Sequence, residues 1–282
     1  MGMSAGPTDP VTQAFRVALG EGGEHARELD LAEAALLMSA LDRRGVDLGP
    51  YRAHLANLAT AAQKYQDVEE AAVRGQIIAD IMTHDFGYEG DEEHFDNPDN
   101  ANLLSVIDRR AGVPVLLGIL YIHAARAAGW RAAGVGFPGQ FLVRIEGADG
   151  ITLVDPFDEG REMHQADLYS LLHRVMGRMA RLDDRHLEPV PDEDVLLRVL
   201  NNLKGAALRR RNGARALELL DRMLVIAPRE AAFIYEQAQL LNREGQPTAA
   251  KSKFETVIAL DPQSPFAERS LVELAGIKRR LN

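Results

Sequence analysis

A chain of 282 residues, 46% apolar and 26% charged, is long enough for one large domain or two ordinary ones with a buried core, and has the balance of a soluble globular protein. Its formal charge of −10 argues against nucleic acid as the main ligand, because phosphate binding needs a basic surface, and the run Arg209-Arg210-Arg211 reads as a solvated helix end. There is no cysteine, which excludes disulfides, cysteine metal sites and thiol nucleophiles together.

The first ten residues show no basic region followed by an apolar run, so no secretory signal is expected and the protein reads as cytoplasmic. The longest apolar stretch, Val113 to Ala125, is interrupted by Pro114, Gly118 and His123. It falls short of the roughly 20 residues that cross a bilayer, so no membrane partner is expected.

Residues 1–27 form a poorly patterned segment, with a short helix expected near Val11 to Leu19. Asp30 has the place of an N-cap, and Leu31, Ala35, Leu36, Met38 and Leu41 follow at helical spacing. Gly49-Pro50 restarts the chain, with Pro suited to a first helical turn, and Tyr51, Leu55, Leu58 and Ala62 share one face. A third helix is expected from Val68 to Met82. Residues 84–100 are rich in Gly, Pro, Asn and acids and read as a solvated loop. His84, Asp85, Asp91, Glu92, Glu93, His94 and Asp96 lie close together there, but their spacing fits no metal template, and no metal or other cofactor is expected.

Leu103, Leu104 and Ile107 mark a short helix, and Pro114 opens a long one that Gly129 closes. That helix is apolar on nearly every face and belongs at the centre of a domain. Strands are expected at Ala132–Phe137, Gln140–Glu146 and Ile151–Asp155, the last two joined as a hairpin, with helix again from His164 to Met176. The fold class is α+β, over residues 28–178, with 179–192 as a linker. From 193 to 282 the pattern is all-helical. Ile226-Ala227-Pro228 recurs as Leu260-Asp261-Pro262, a period of 34 residues that belongs to tetratricopeptide hairpins. That register pairs Ala216 with Ala250 and Leu220 with Phe254 on the packing face, and a closing helix follows from Pro265 to Leu281.

Residues 96–161 hold the most distinctive run. Arg109-Arg110 precede Gly112-Val113-Pro114; Gly136-Phe137-Pro138-Gly139 come next, and then Asp155-Pro156-Phe157 before Gly160-Arg161. With these motifs the chain resembles the bacterial SirB-type proteins, in which a transglutaminase-like domain is followed by tetratricopeptide repeats. The resemblance implies what the broader enzymes use: a Cys–His–Asp constellation, with Cys at the start of the central helix, His opening a strand and Asp ending the next. A helix N-terminus lowers the thiol pKa, the imidazole takes the proton and the acid orients the imidazole. In an ungapped comparison back from Gly129 through Arg126, the Cys position falls on Pro114. The His position falls on Gln140, where many relatives read PGHF, and the Asp position on Asp155. Pro has no nucleophilic atom and Gln no nitrogen that titrates near neutrality, so thiol acyl transfer is not expected and no residue is assigned as catalytic.

The same resemblance places Arg109, Arg110, Gln140 and Asp155 around the former cleft, with Arg161 as a further binding candidate and an Arg–Asp pair holding the cleft together. The expected function is a non-catalytic interaction or regulatory protein that binds a protein or peptide partner. The competing expectation is an enzyme of another class, built on Asp155 with His123, His164 or another group; a His or Tyr within hydrogen-bond reach of Asp155 is its discriminator.

Overall fold

The computed structural model describes residues 9–20, 29–92 and 101–281. By packing, the chain divides into a unit ending at Val199 and a second beginning at Leu200.

The first unit opens with α1 (Pro10–Ala18), α2 (Leu31–Ala40), α3 (Gly49–Gln63) and α4 (Ala71–Asp80). Asp30 caps α2 as its pattern suggested, its Oδ1 accepting from the Glu33 amide at 3.0 Å. The start of α4 is satisfied from far along the chain: the Ala71 amide donates to Oδ1 of Asp149 at 2.7 Å. Helix α4 runs on into one π turn at Ile81–Asp85. The segment read as an acidic loop is partly ordered by pairing. Glu89–Gly90 (β1) lies parallel to Ala111–Gly112 (β2), and Asp91 is buried against Arg109 rather than solvated. Glu93, His94 and Asp96 lie outside the described residues.

Helix α5 (Leu103–Arg109) leads through β2 into α6 (Pro114–Ala127). Leu116, Leu117, Ile119 and Leu120 of α6 are all fully buried, as expected of a helix with no polar stripe. Around it lies an antiparallel sheet of β3 (Ala132–Val135), β4 (Leu142–Gly147), β5 (Gly150–Asp155), β6 (Arg161–Glu162) and β7 (Pro189–Val190), in the order β6-β5-β4-β3-β7. The β4–β5 turn is Ala148-Asp149, between paired Gly147 and Gly150.

Phe141, Val143 and Ile145 point to one face, and Phe141 meets α6 at Gly118. Leu142 and Leu153 point to the other face and pack with Leu168 and Leu172 of α7 (Gln165–Met176). With both faces covered, alternation of polar and apolar residues in β4 is weak.

Segment 179–192, read from its polarity and prolines as a linker, holds a 3₁₀ turn (Asp184–Leu187) and the edge strand β7, which pairs with β3. Pro189 fits because an edge strand needs no donor on its outer side. Helix α8 (Asp192–Arg209) starts in the first unit: Asp192 takes a two-pronged ion pair from Arg126 at 2.5 and 2.9 Å, and Val195 reaches Gly134.

The second unit carries α9 (Gly213–Ile226), α10 (Ala231–Arg243), α11 (Pro247–Leu260) and α12 (Pro265–Leu281). Ala216, Leu220, Ala250 and Phe254 are all fully buried, the places that the 34-residue register assigned to the packing face. Small Ala216 and Ala250 let paired helices approach. Tyr235 packs edge-on to Phe254 with ring centres 5.7 Å apart.

Candidate functional site

Strand β5 ends at Asp155, and the chain turns sharply through Pro156, with Glu159 and Gly160 at positive φ. The turn is closed by the Asp158 and Gly160 amides, both of which donate to the Asp155 carbonyl. Gly160 is required on two grounds: its φ of 75° and the close approach of Ala79 and the Tyr121 hydroxyl, 2.5 and 2.8 Å from where a Cβ would sit. The Asp155 side chain is thereby fixed inside the domain. Its Oδ1 accepts from the Phe157 amide at 2.9 Å and its Oδ2 from the Gln140 side-chain amide at 2.7 Å.

Burial raises the Asp155 pKa and outweighs the lowering by these donors. Tyr121, on the central helix, is buried as well; its pKa is raised by burial first and then by the charges of Asp155 and Glu159. Among the described residues, the side-chain partner of Asp155 is Gln140, not a His or a Tyr.

Gln140 is held in place through its neighbour Phe141. The Phe141 ring fills a slot between two glycines, and a Cβ at Gly134 would lie 2.5 Å from it. A Cβ at Gly118, one turn after Pro114 in α6, would be 2.8 Å from Cδ1 and nearer still to Cε1. The helix that Pro114 opens is thus seated on the residue beside Gln140. Pro114 itself is the first residue of α6, after Val113 as N-cap. Its ring carries nothing that can accept or donate a proton. Arg198 of α8 holds the same spot from outside, its guanidinium 5.6 Å from the Phe141 ring centre and donating to the Gln140 carbonyl at 3.3 Å. Burial lowers the Arg198 pKa.

The arginines of the signature go elsewhere, and this corrects the expected convergence and the expected Arg–Asp pair. Arg109 binds Asp91 at 3.1 Å. Arg110 ends α5 in the left-handed conformation at φ 61°, which turns its side chain back over α3. There it stacks on Tyr88, 5.1 Å from the ring centre, and donates to the Tyr88 hydroxyl at 3.0 Å and to the Ile107 carbonyl at 2.5 Å. It also lies 3.2 Å from Nε2 of His54, which the Tyr88 hydroxyl approaches at 2.7 Å. Burial, and then the Arg110 charge, lower the His54 pKa to about 4. Arg161 pairs in the ladder with Asp155, but its side chain reaches Asp158 at 2.6 Å and Asp167 at 3.0 Å, on the surface.

The result is two polar centres. One is the Gln140–Asp155 pair. The other, missed in the sequence, is His54–Tyr88–Arg110; Tyr88 is buried, while His54 and Arg110 line a cavity of about 590 Å³ together with Tyr51, Asn57 and Asp108. His54 and Tyr88 stand on separate elements from Arg110, and no local pattern joins them.

Comparison with known proteins gives the same division of the chain. A family model described as transglutaminase-like superfamily matches residues 50–201, and one for a tetratricopeptide repeat matches 203–271. A "UPF0162 protein" of Xylella fastidiosa is 29% identical over 248 residues, 84% of this chain and 85% of that protein. Another from Vibrio cholerae is 28% identical over 249 residues, covering 85% and 89%. The F-box only protein 21 of Pongo abelii is 26% identical over 245 residues, 79% of this chain but 38% of its own length. Among the described residues no helix is long and apolar enough to cross a membrane. The chain belongs to the transglutaminase-like superfamily, in the SirB-type arrangement where that domain precedes tetratricopeptide repeats.

Proposed function

We propose that this chain is a non-catalytic member of its superfamily, working in the cytoplasm as a protein-interaction or regulatory module. One observation carries this reading. The acid of the enzyme constellation, Asp155, is capped by the amide of Gln140, which donates a hydrogen bond but cannot take a proton near neutrality. Pro114 at the helix start supplies no nucleophile, and the chain contains no thiol. Tetratricopeptide hairpins generally serve protein–protein interaction, often by receiving peptide segments, and this agrees with a binding role.

The test is an activity panel on the purified protein: fluorogenic peptide amides, and incorporation of a dansyl amine into a glutamine substrate. No turnover above buffer is expected. Neither Pro114→Cys nor Gln140→His alone should create any, because each supplies half of an activated pair. Turnover that survives repeated purification and vanishes in Asp155→Ala would instead establish an enzyme with a remodelled cleft, for which the raised pKa of Asp155 would make it the acid–base candidate.

A further inference from the structure

The cavity at His54 and Arg110, about 590 Å³, has the volume of a small-molecule site. Part of its wall is apolar, formed by Val46, Pro50, Ala53 and Ile107. The charged residues that line it are Asp47, Asp108 and Arg110. Asp108 is shared by two donors, Arg43 at 2.9 Å and the Tyr51 hydroxyl at 3.1 Å. Among the described residues Arg110 has no carboxylate partner; it donates to the Tyr88 hydroxyl and the Ile107 carbonyl and lies against His54. Burial and the Arg110 charge hold the His54 pKa at about 4, so the imidazole adds no second cation at neutral pH.

These charges are laid out along α3. Asp47 precedes its first turn, with Oδ1 accepting from the Gly49 amide at 2.9 Å. Tyr51, His54 and Asn57 follow on one face at three-residue steps, about 4.5 Å apart along the axis. Tyr51 holds Asp108 and His54 meets Arg110, so the two acids gather towards the N-terminal end of α3 and the guanidinium lies about one turn further on. Two more arginines stand near the acid end, but Arg43 is paired with Asp108 and Arg52 with Glu33. Those pairs cancel. What is left is Asp47, with no ion pair among the described residues, at one end and Arg110 at the other. A lone anion is drawn to Arg110 and repelled by the acids, and a lone cation meets the reverse. A ligand that carries both charges is matched at both ends.

We infer that this cavity binds a free α-amino acid with an apolar side chain, its carboxylate on Arg110, its ammonium towards Asp47 and Asp108, and its side chain against Val46, Pro50, Ala53 and Ile107. A planar guanidinium suits a carboxylate, and Asn57, one turn beyond His54, offers an amide donor at the same end. Asp108 is 46% exposed, so water screens part of the attraction, and the dissociation constant is on the order of 0.1–1 mM. The cavity shares no residue with the Gln140–Asp155 centre, and binding is read without turnover, so either reading can fail without the other.

Isothermal titration of the full chain with L-leucine tests it, beside two analogues that each carry one charge: 4-methylpentanoate, which lacks the ammonium, and 3-methylbutylamine, which lacks the carboxylate. L-Leucine should bind once per chain, and each analogue should bind at least about tenfold more weakly. L-Leucine should also move the ring resonances of His54, identified by their loss in His54→Gln. Arg110→Gln should weaken L-leucine binding by about tenfold or more. Asp47→Asn keeps an oxygen for the Gly49 amide and removes only the charge; it should weaken binding by about three- to tenfold. Far-UV circular dichroism will show that each variant is folded, and the analogue series decides the matter on the wild-type chain if Arg110→Gln is not. Absence of both heat and a His54 shift at about 10 mM L-leucine overturns the inference. So does 4-methylpentanoate or 3-methylbutylamine binding as tightly as L-leucine, or an unchanged L-leucine affinity in either folded variant.

Discussion

Gln140, two residues before β4, and Asp155, the last residue of β5, lie fifteen residues apart in sequence and meet side chain to side chain, the Gln140 amide 2.7 Å from Oδ2 of Asp155. The amide offsets part of the cost of burying that carboxyl. Replacing Gln140 with Leu removes the donor and leaves Oδ2 unsatisfied. Urea denaturation should show a loss of about 1–3 kcal/mol. Adding Asp155→Asn should recover part of it by removing the buried charge. A Gln140→Leu variant as stable as wild type would mean that this pair does not hold the turn.

Leu120 lies at the middle of α6 and is fully buried. Leu120→Ala leaves a cavity surrounded by close-packed elements that cannot collapse onto it. A loss of about 2–5 kcal/mol is expected from chemical denaturation. Retention of full thermal stability would contradict the central placement of α6.

Gly118→Ala is a sharper test of the same region. On helix propensity alone the change should help, by about 1 kcal/mol. Here the new methyl group meets the Phe141 ring, which Gly134 blocks from retreating. Overpacking should win and destabilise the protein by about 1–3 kcal/mol. Stabilisation in the denaturation curve would show that the ring has room to move.

His54 sets a pH dependence. Its folded pKa is lowered from 6.5 to about 4. Between those values the unfolded chain binds the proton and the folded one does not, so stability is complete above about pH 6.5 and falls as pH drops towards 4. The loss should be on the order of 1–2 kcal/mol, because water reaching the half-buried ring screens the full effect. His54→Gln should flatten this part of the stability–pH profile. An unchanged slope would mean that other groups account for it.

Helices whose signals are local were legible in the sequence. Asp30 caps α2 because its carboxylate reaches an amide three residues on, and Pro114 and Gly129 bracket α6 because one fits the first helical turn and the other the left-handed position after the last. The candidate site was legible only in part. Gln140 and Asp155 came together, while Arg109, Arg110 and Arg161 found acids, rings and carbonyls elsewhere. A motif gives the order of residues along the chain, but an arginine side chain is long enough to choose among several partners, and burial and backbone conformation make that choice.

The sequence by itself determined where the longer helices and the strands β3, β4 and β5 form, the 34-residue repeat and the lack of a thiol, since these depend on composition and on spacing along the chain. Only the tertiary structure decided that Pro189–Val190 completes the sheet, that Arg198 braces Phe141, that His54 meets Arg110 across 56 residues, and that Leu271 and Val272 stay exposed. Each of these depends on which surfaces pack against each other. Contacts between distant segments are fixed by the shapes and free hydrogen-bonding groups that folded elements present, and neither exists until the elements have formed.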